Sequence, residues 1–199
     1  MSVKSQVPLQ TCSLKQCTGC DLQDKLLCVA DRKDIIDFFA IFIVVFIPFM
    51  AGMIIGQFWL GILAWLGLAV IFFGYVEAQV LCRHCPHYGE KGFLLRCHAN
   101  YGLPKIPKFD PRPLSRAEQV IWLLYAGVLV FWYVPFFVIS SQWLLLFITS
   151  TAIIASFWTI QRTQCNRCYN LSCPVNRVPP EVREKFYERF PVFAEARKK

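Results

Sequence analysis

Residues 35–80 read IIDFFAIFIVVFIPFMAGMIIGQFWLGILAWLGLAVIFFGYVEAQV. The hydrocarbon core of a bilayer is about 30 Å thick, which an α-helix crosses in roughly 20 apolar residues. Segments 35–55 and 58–80 both reach that length, and little more than Gly56-Gln57 separates them. The stretch therefore predicts two transmembrane helices joined as a tight hairpin.

A second hairpin is predicted further along the chain. Segments 120–139 and 143–160 are similarly apolar, and Ser140-Ser141-Gln142 separates them. The whole chain is 56% hydrophobic and 16% aromatic, with a mean hydropathy of +0.43. These values are too high for an ordinary soluble domain of 199 residues. We therefore predict an all-α integral membrane protein of four transmembrane helices arranged as two hairpins.

The basic residues predict the orientation. Of the 21 Lys and Arg residues, five lie in 1–33, seven in 81–117 and nine in 161–199, so neither short turn carries one. The positive-inside rule then places both termini and the central loop in the cytoplasm. Trp59 and Trp143 lie beside the two turns, as expected of indoles at the outer interface. We expect a multi-pass protein of the cell membrane with both termini cytoplasmic.

The net charge of +8 does not by itself indicate nucleic acid. Basic residues next to transmembrane helices are explained by topology and by attraction to anionic lipid. We therefore expect the lipid bilayer as a partner and no nucleic acid. The first 33 residues lack the apolar core of a cleavable signal peptide, so the first helix is the expected insertion signal.

The chain is predicted to have five parts. Serine at 115 followed by Glu118 is typical of a capping box that opens the third helix. The second half of the loop, 101–113, holds four prolines and favours an extended segment. The parts are a cytoplasmic Cys-rich arm (1–33), transmembrane hairpin 1 (34–80), a cytoplasmic Cys/His loop (81–117), transmembrane hairpin 2 (118–160) and a basic Cys-rich cytoplasmic tail (161–199).

All ten cysteines and all three histidines fall in the three parts assigned to the cytoplasm. Because the cytosol keeps thiols reduced, they indicate metal binding or catalysis rather than a disulfide framework. Two residues between cysteines allow a tight turn to direct both sulfurs to one metal, and three such pairs occur here. The predicted ligands are Cys12, Cys17, Cys20 and Cys28 in the arm, Cys82, Cys85, Cys97, His84, His87 and His98 in the loop, and Cys165, Cys168 and Cys173 in the tail.

Two metals fit these residues. Zinc is slightly favoured, because each loop histidine neighbours a cysteine and the 13 candidate ligands suffice for three four-coordinate sites. An iron-sulfur cluster is the alternative, since Pro86 and Pro174 follow cysteines and the arm's C-x4-C-x2-C spacing matches the first three ligands of a plant-type ferredoxin. The tail has three cysteines, so we expect its site to borrow a ligand from the loop or the arm.

Three functions are consistent with this pattern. In the first, metal staples arm, loop and tail into a small irregular cytoplasmic platform that anchors a soluble or membrane protein partner. In the second, iron-sulfur clusters pass electrons between a soluble enzyme and a membrane quinone. In the third, a C-x2-C pair is a thiol-disulfide catalyst, although the thioredoxin-like context is absent. Whether the protein is an enzyme stays open.

Inside the predicted helices, Glu77 is the acidic residue deep enough to contact a quinone or carry a proton. Its position less than two turns from the cytoplasmic end favours simple access to water. The helices contain no histidine, which excludes a bis-histidine haem. Each hairpin runs into a C-x2-C pair, at Cys82 and at Cys165, so a duplicated hairpin and a chance similarity are equally consistent with the sequence.

Overall fold

The computed structural model describes residues 9–17, 19–23, 25–28 and 32–198. The predicted arm is thus described in part, since 1–8, 18, 24 and 29–31 lie outside these ranges. The described residues are helical and contain no β-strand, only an isolated bridge between Leu94 and Pro104. Four helices are long and apolar enough to cross a membrane, which confirms the predicted number: Arg32–Ile55, Trp59–His84, Arg116–Ile139 and Trp143–Arg167.

Two of these four long helices are interrupted. The first is a continuous helix, α1 (Arg32–Ile55). The second consists of α2 (Trp59–Ile71), a π-helical turn (Phe72–Val76) and a short α3 (Glu77–Val80). The third divides at Trp132 into α4 (Arg116–Phe131) and α5 (Tyr133–Ile139), and the fourth is α6 (Trp143–Thr163).

The two connections are tight turns, as predicted. Each contains a residue with a positive φ, 58° at Gln57 and 55° at Ser141. The side chain of Gln142 joins the turns, because its Nε2 donates a hydrogen bond of 3.0 Å to the carbonyl oxygen of Gly52. A small core lies beside these turns, formed by Phe49, Met53, Ile62, Tyr133 and Phe137.

The outer surface of the four long helices is apolar. Leu60 is 82% exposed and Leu144 is 72% exposed. Helix α1 packs most extensively on α6, and α3 packs on α4. Such exposed large apolar side chains are compatible with lipid contact. The predicted capping box is confirmed, since Ser115 accepts from the backbone of Glu118 and the Glu118 side chain accepts from the backbone of Ser115.

The remaining segments gather at one end of the long helices. We call residues 9–28, 82–115 and 164–198, as far as they are described, the platform. The sequence predicts an irregular platform, but the tail contains two helices, α7 (Pro180–Arg189) and α8 (Pro191–Ala196). It also has a hydrophobic core drawn from all three segments: Leu22, Leu26, Cys85, Tyr169, Val178, Val182, Phe186, Phe190 and Phe193.

The two hairpins enter the platform with the same backbone geometry. Leu81 has φ −113° and ψ −54°, and Gln164 has φ −115° and ψ −51°. Each is followed by a 3₁₀ turn, Cys82–His84 after the first hairpin and Cys165–Arg167 after the second. In both hairpins the residue directly before the C-x2-C pair has nearly the same φ and ψ angles. This similarity favours a duplicated hairpin over chance similarity.

Candidate metal centre

The four cysteines of the arm line one cavity. Cys12, Cys17, Cys20 and Cys28 surround it together with Tyr169 and Phe190 of the tail. Its volume is about 20 Å³, enough for a particle the size of one water molecule. All ten cysteines of the chain carry free thiols.

A tight turn places two of these sulfurs near each other. The backbone N–H of Cys20 donates to the carbonyl oxygen of Cys17 at 3.1 Å. Gly19 lies inside the turn with φ +75°, a conformation that glycine adopts without a Cβ penalty. The C-x2-C spacing of the arm therefore forms the local structure expected of a metal-binding pair.

Tyr169 connects the arm cavity to the tail. Its hydroxyl oxygen lies 2.9 Å from the Sγ of Cys28, and its ring is buried against Phe186 and Phe190. The backbone adds a second connection, from the N–H of Leu27 to the carbonyl oxygen of Arg167 at 2.8 Å. The arm is thus packed on the tail.

The arm thiols disfavour one another's ionisation. Burial raises the pKa of the Cys28 thiol to about 11, in spite of the hydrogen bond with Tyr169, and the thiols of Cys20, Cys17 and Cys12 raise it further. Burial, Cys20 and Cys12 also raise the pKa of Cys17. Four thiolates in one cavity would need a cation to offset their mutual repulsion, which a bound metal would supply.

A second group of cysteines lies where the loop meets the tail. Asn100, 7% exposed, makes hydrogen bonds to two sulfurs in this group. Its Nδ2 donates to Cys82 Sγ at 3.2 Å, and its backbone N–H donates to Cys97 Sγ at 3.2 Å. Cys82 and Cys85 are themselves joined by a backbone hydrogen bond of 3.0 Å.

The tail reaches this second group through Asn170. Its Nδ2 donates to the carbonyl oxygen of Leu81 at 2.9 Å, immediately before Cys82. Burial raises the pKa of Cys85 well above its ordinary value, and the nearby thiols of Cys168, Cys97 and Cys173 raise it further. Burial likewise raises the pKa of Cys97 and of Cys168 to about 11 each. Cysteines from loop and tail are therefore neighbours.

The three histidines are buried beside other partners. His84 Nδ1 lies 3.0 Å from the carbonyl oxygen of Asp110, and its Nε2 lies 3.4 Å from Glu118 Oε1. His87 Nε2 lies 3.2 Å from the carbonyl oxygen of Leu27. The ring of His98 meets Phe38 edge-on at 5.9 Å. His98 Nδ1 is buried and has no hydrogen-bond partner among the described residues. The assignment of the histidines as ligands stays a prediction. The contacts of His84 and His87 weaken the reason for favouring zinc, whereas the unpartnered nitrogen of His98 does not.

Sequence reasoning missed an ion-pair network around the loop. Glu118 Oε1 lies 2.8 Å from Arg83 and 2.6 Å from Arg112, and its other oxygen accepts from Arg112 at 2.7 Å. The backbone N–H of Asp110 also donates to the carbonyl oxygen of Arg83 at 3.0 Å. The network fastens the Cys82–Cys85 turn to the start of α4. The capping-box signal at Glu118 gave no indication of either arginine.

Glu77 differs from its expected surroundings. It was expected to reach water, yet it is 8% exposed. Asn100 of the loop and Trp122 of α4 lie near its carboxyl group, whose Oε2 atom is buried without a hydrogen-bond partner among the described residues. The π-helical turn lies directly before it, and such turns are frequent at functional sites.

The thiol groups fit a thiophilic metal by their chemistry. Within residues 9–17, 19–23, 25–28 and 32–198, the side chains as they stand do not bring three Cys, His, Asp or Glu ligands around one metal position. Comparisons of the chain with protein-family models, with curated proteins and with solved structures found no match.

Proposed function

We propose that this protein is a multi-pass membrane protein whose platform binds metal through cysteine thiolates. The bound metal would fix arm, loop and tail as an anchor for a soluble or membrane protein partner. The observation that carries the proposal is the cavity lined by Cys12, Cys17, Cys20 and Cys28 together with Tyr169 and Phe190 of the tail. Four thiols around one small cavity are the ligand set of a structural zinc site made of cysteines alone.

The cavity also explains how metal would affect the platform as a whole. The arm contributes few buried side chains of its own, Leu22 and Leu26 among them, to the platform core. Metal binding to short segments contributes directly to their folding free energy, on the order of 10 kcal/mol for structural zinc. A metal in the arm cavity would therefore hold the arm against Tyr169, and so stabilise the surface offered to a partner.

We place the platform on the cytoplasmic side of the cell membrane, because all 21 basic residues lie on the platform side of the predicted spans. Reduced thiols are expected in that compartment. A membrane-impermeant thiol reagent added to intact cells should leave the cysteines unlabelled, and should label them after the cells are opened. Labelling of Cys97 or Cys173 from outside would contradict this placement.

The test of metal binding is elemental analysis of anaerobically purified protein, with an absorption spectrum. We expect bound zinc or iron in the wild type and a loss of metal in the double variant Cys17→Ser/Cys20→Ser. Ser13→Ala is a matched control, because Ser13 is an exposed arm residue close to Cys12. Wild-type protein without metal, or full metal retention in the double variant, would reject the arm site.

The anchor function has its own readout. Hydrogen exchange at the amide of Leu27, which bonds to Arg167 in the tail, should speed up when metal is lost. The same treatment should release a partner that co-purifies with the wild type and with Ser13→Ala. Unchanged exchange after complete metal loss would show that metal does not hold the arm.

Electron transfer by iron-sulfur clusters is a second candidate. The observation that favours it is the partnering of His84 and His87 with other groups, which leaves candidate ligands that are mainly cysteines. All-cysteine ligation is typical of iron-sulfur clusters, although some structural zinc sites share it. Clusters would make the purified protein brown and reducible, with inorganic sulfide equal to the iron, whereas zinc would leave it colourless.

A further inference from the structure

We propose that residues 91–108 of the loop, which we call the interfacial hairpin, bind the bilayer surface on the platform side by holding anionic phospholipid headgroups. This inference rests on the membrane placement of the proposed function and not on metal. It concerns apolar and basic side chains that are not among the candidate metal ligands.

The interfacial hairpin is an ordered part of the platform. The backbone N–H of Lys105 donates to the carbonyl oxygen of Phe93 at 2.8 Å, and that of Leu95 donates to the carbonyl oxygen of Leu103 at 2.8 Å. Leu95 is 2% exposed and shares a small core with Tyr88. One side of the hairpin is therefore fixed on the platform, and the other side faces away from it.

Large apolar side chains of the hairpin are exposed. Leu94 and Ile106 lie on the same side, because Leu94 is the bridge partner of Pro104 and Ile106 follows Pro104 by two residues. In the described part of the platform outside the hairpin, comparable exposure of a large apolar side chain occurs at Val192 alone. Such a concentration of exposed apolar side chains marks an interaction site. Its members are Phe93 (68% exposed), Leu94 (49%), Tyr101 (54%) and Ile106 (58%).

The turn of the hairpin lies beside the platform end of α1. The ring of His98 in this turn meets Phe38 of α1 edge-on at 5.9 Å. Phe38 lies about 9 Å along the helix axis from Arg32, where α1 begins. Its neighbours Ile36 and Phe39 are 65% and 52% exposed on the apolar surface of α1. The turn therefore adjoins that apolar surface near its end, at the depth where interfacial segments bury their apolar side chains.

The charge of the hairpin favours anionic lipid. Residues 91–108 include four Lys or Arg residues and no Asp or Glu. Lys91, Arg96 and Lys108 are exposed, and none of them forms an ion pair within the described residues. Basic side chains interleaved with apolar ones are typical of segments that lie on anionic membranes. An acidic protein has matching charge, but only the bilayer is held beside the hairpin by the chain itself.

Hydrogen exchange of peptides from 91–108 tests this contact in the full-length protein. We expect slower exchange in nanodiscs of phosphatidylcholine mixed with phosphatidylglycerol than in nanodiscs of phosphatidylcholine alone, because bound lipid excludes water. Each basic side chain near an anionic surface contributes roughly fivefold to binding, so Lys91→Gln/Lys108→Gln should lose up to about 25-fold of this protection. Lys15→Gln/Lys25→Gln removes two exposed lysines of the arm and is the matched control, which should lose none.

The apolar side chains have their own variant. Phe93→Ser/Ile106→Ser should also lose the protection, whereas Val192→Ser should keep it. Unchanged exchange at the amide of Leu27, in the contact between arm and tail, shows that these variants have folded. High salt should weaken the protection in the wild type, because exposed charges are screened.

Equal exchange in the two kinds of nanodisc, or full protection in the Lys91→Gln/Lys108→Gln variant, would overturn the lipid contact. Protection that requires a co-purifying protein and not phosphatidylglycerol would overturn it too, and would assign the surface to that protein. None of these outcomes depends on metal content, so the arm site of the proposed function is accepted or rejected separately.

Discussion

Tyr169 brings together parts of the chain that are 141 positions apart, because its hydroxyl oxygen lies 2.9 Å from the Sγ of Cys28. Burial raises the pKa of this tyrosine above its ordinary value, and the Cys28 thiol raises it further, so Tyr169 stays protonated and can donate. A metal bound in the arm cavity would ionise Cys28, and that hydrogen bond would then be charge-assisted and stronger.

Replacing Tyr169 by Phe should therefore weaken the arm site while keeping the aromatic packing against Phe186 and Phe190. We expect a stability loss of about 1–2 kcal/mol and faster removal of the arm metal by chelator. Tyr187→Phe is the control, since the ring of Tyr187 contacts Arg197. Equal chelator rates in the two variants would show that the hydroxyl does not support the site.

Some contacts of individual residues could not be predicted from the sequence. The C-x2-C spacings identified candidate ligands, but spacing carries no information about Tyr169 or Asn100, which reach the cysteines only after the chain has folded. The burial of Glu77 was missed for the same reason, because Asn100 of the loop and Trp122 of α4 come from other segments.

At the scale of elements, Glu118 has two roles at the start of α4. It completes the capping box with Ser115, and it pairs with Arg83 and Arg112. Loss of a cap costs about 1 kcal/mol. Loss of a partly buried acid that pairs with two arginines costs about 3 kcal/mol, because both cations are left without it.

Comparing Ser115→Ala with Glu118→Ala separates these roles. Both variants lose the cap, but only the second also loses the ion pairs, so its free energy of unfolding should fall by about 2 kcal/mol more. Denaturant titration in detergent, followed by helical circular dichroism, measures the difference. Similar losses in both variants would mean that the network contributes nothing beyond the cap.

Helix α1 approaches α5 closely at Gly52. A Cβ added there would lie 2.1 Å from the Cζ atom of Phe137, whose ring is 0% exposed. Gly52→Ala should therefore force the helices apart and cost about 1–3 kcal/mol. Gly67→Ala is the control, since nothing lies within 4 Å of an added Cβ there. A thermal unfolding midpoint that falls equally in both variants would argue against tight packing at Gly52.

The helical elements themselves were well predicted. Length and hydropathy were sufficient for the four long helices, and the turns at Gln57 and Ser141 followed from the small gaps between them. Helices α7 and α8 were missed because charged side chains lie among the apolar residues Val182, Phe186 and Phe193, which become a buried face only against the arm and the loop.

For the molecule as a whole, the buried acid and the second cysteine group lie close together. Glu77 lies at the platform end of the second long helix and is 8% exposed. Asn100 lies near Glu77 and also binds the sulfurs of Cys82 and Cys97. A carboxyl group thus lies near these cysteines at the edge of the apolar region, where it would be placed to exchange protons with a quinone if the cysteines held an iron-sulfur cluster.

Glu77→Gln separates the two candidate functions. In a quinone-linked redox protein it should slow reoxidation of the reduced chromophore by a quinone analogue by about 10-fold or more, because the acid that transfers the proton is missing. Metal content should stay unchanged. In an anchor protein the substitution should be nearly silent in partner recovery. The control is Asp37→Asn. This variant removes an exposed acid that pairs with Lys33 near the platform end of α1. Equal quinone rates for Glu77→Gln and Asp37→Asn would reject a role for Glu77 in electron transfer.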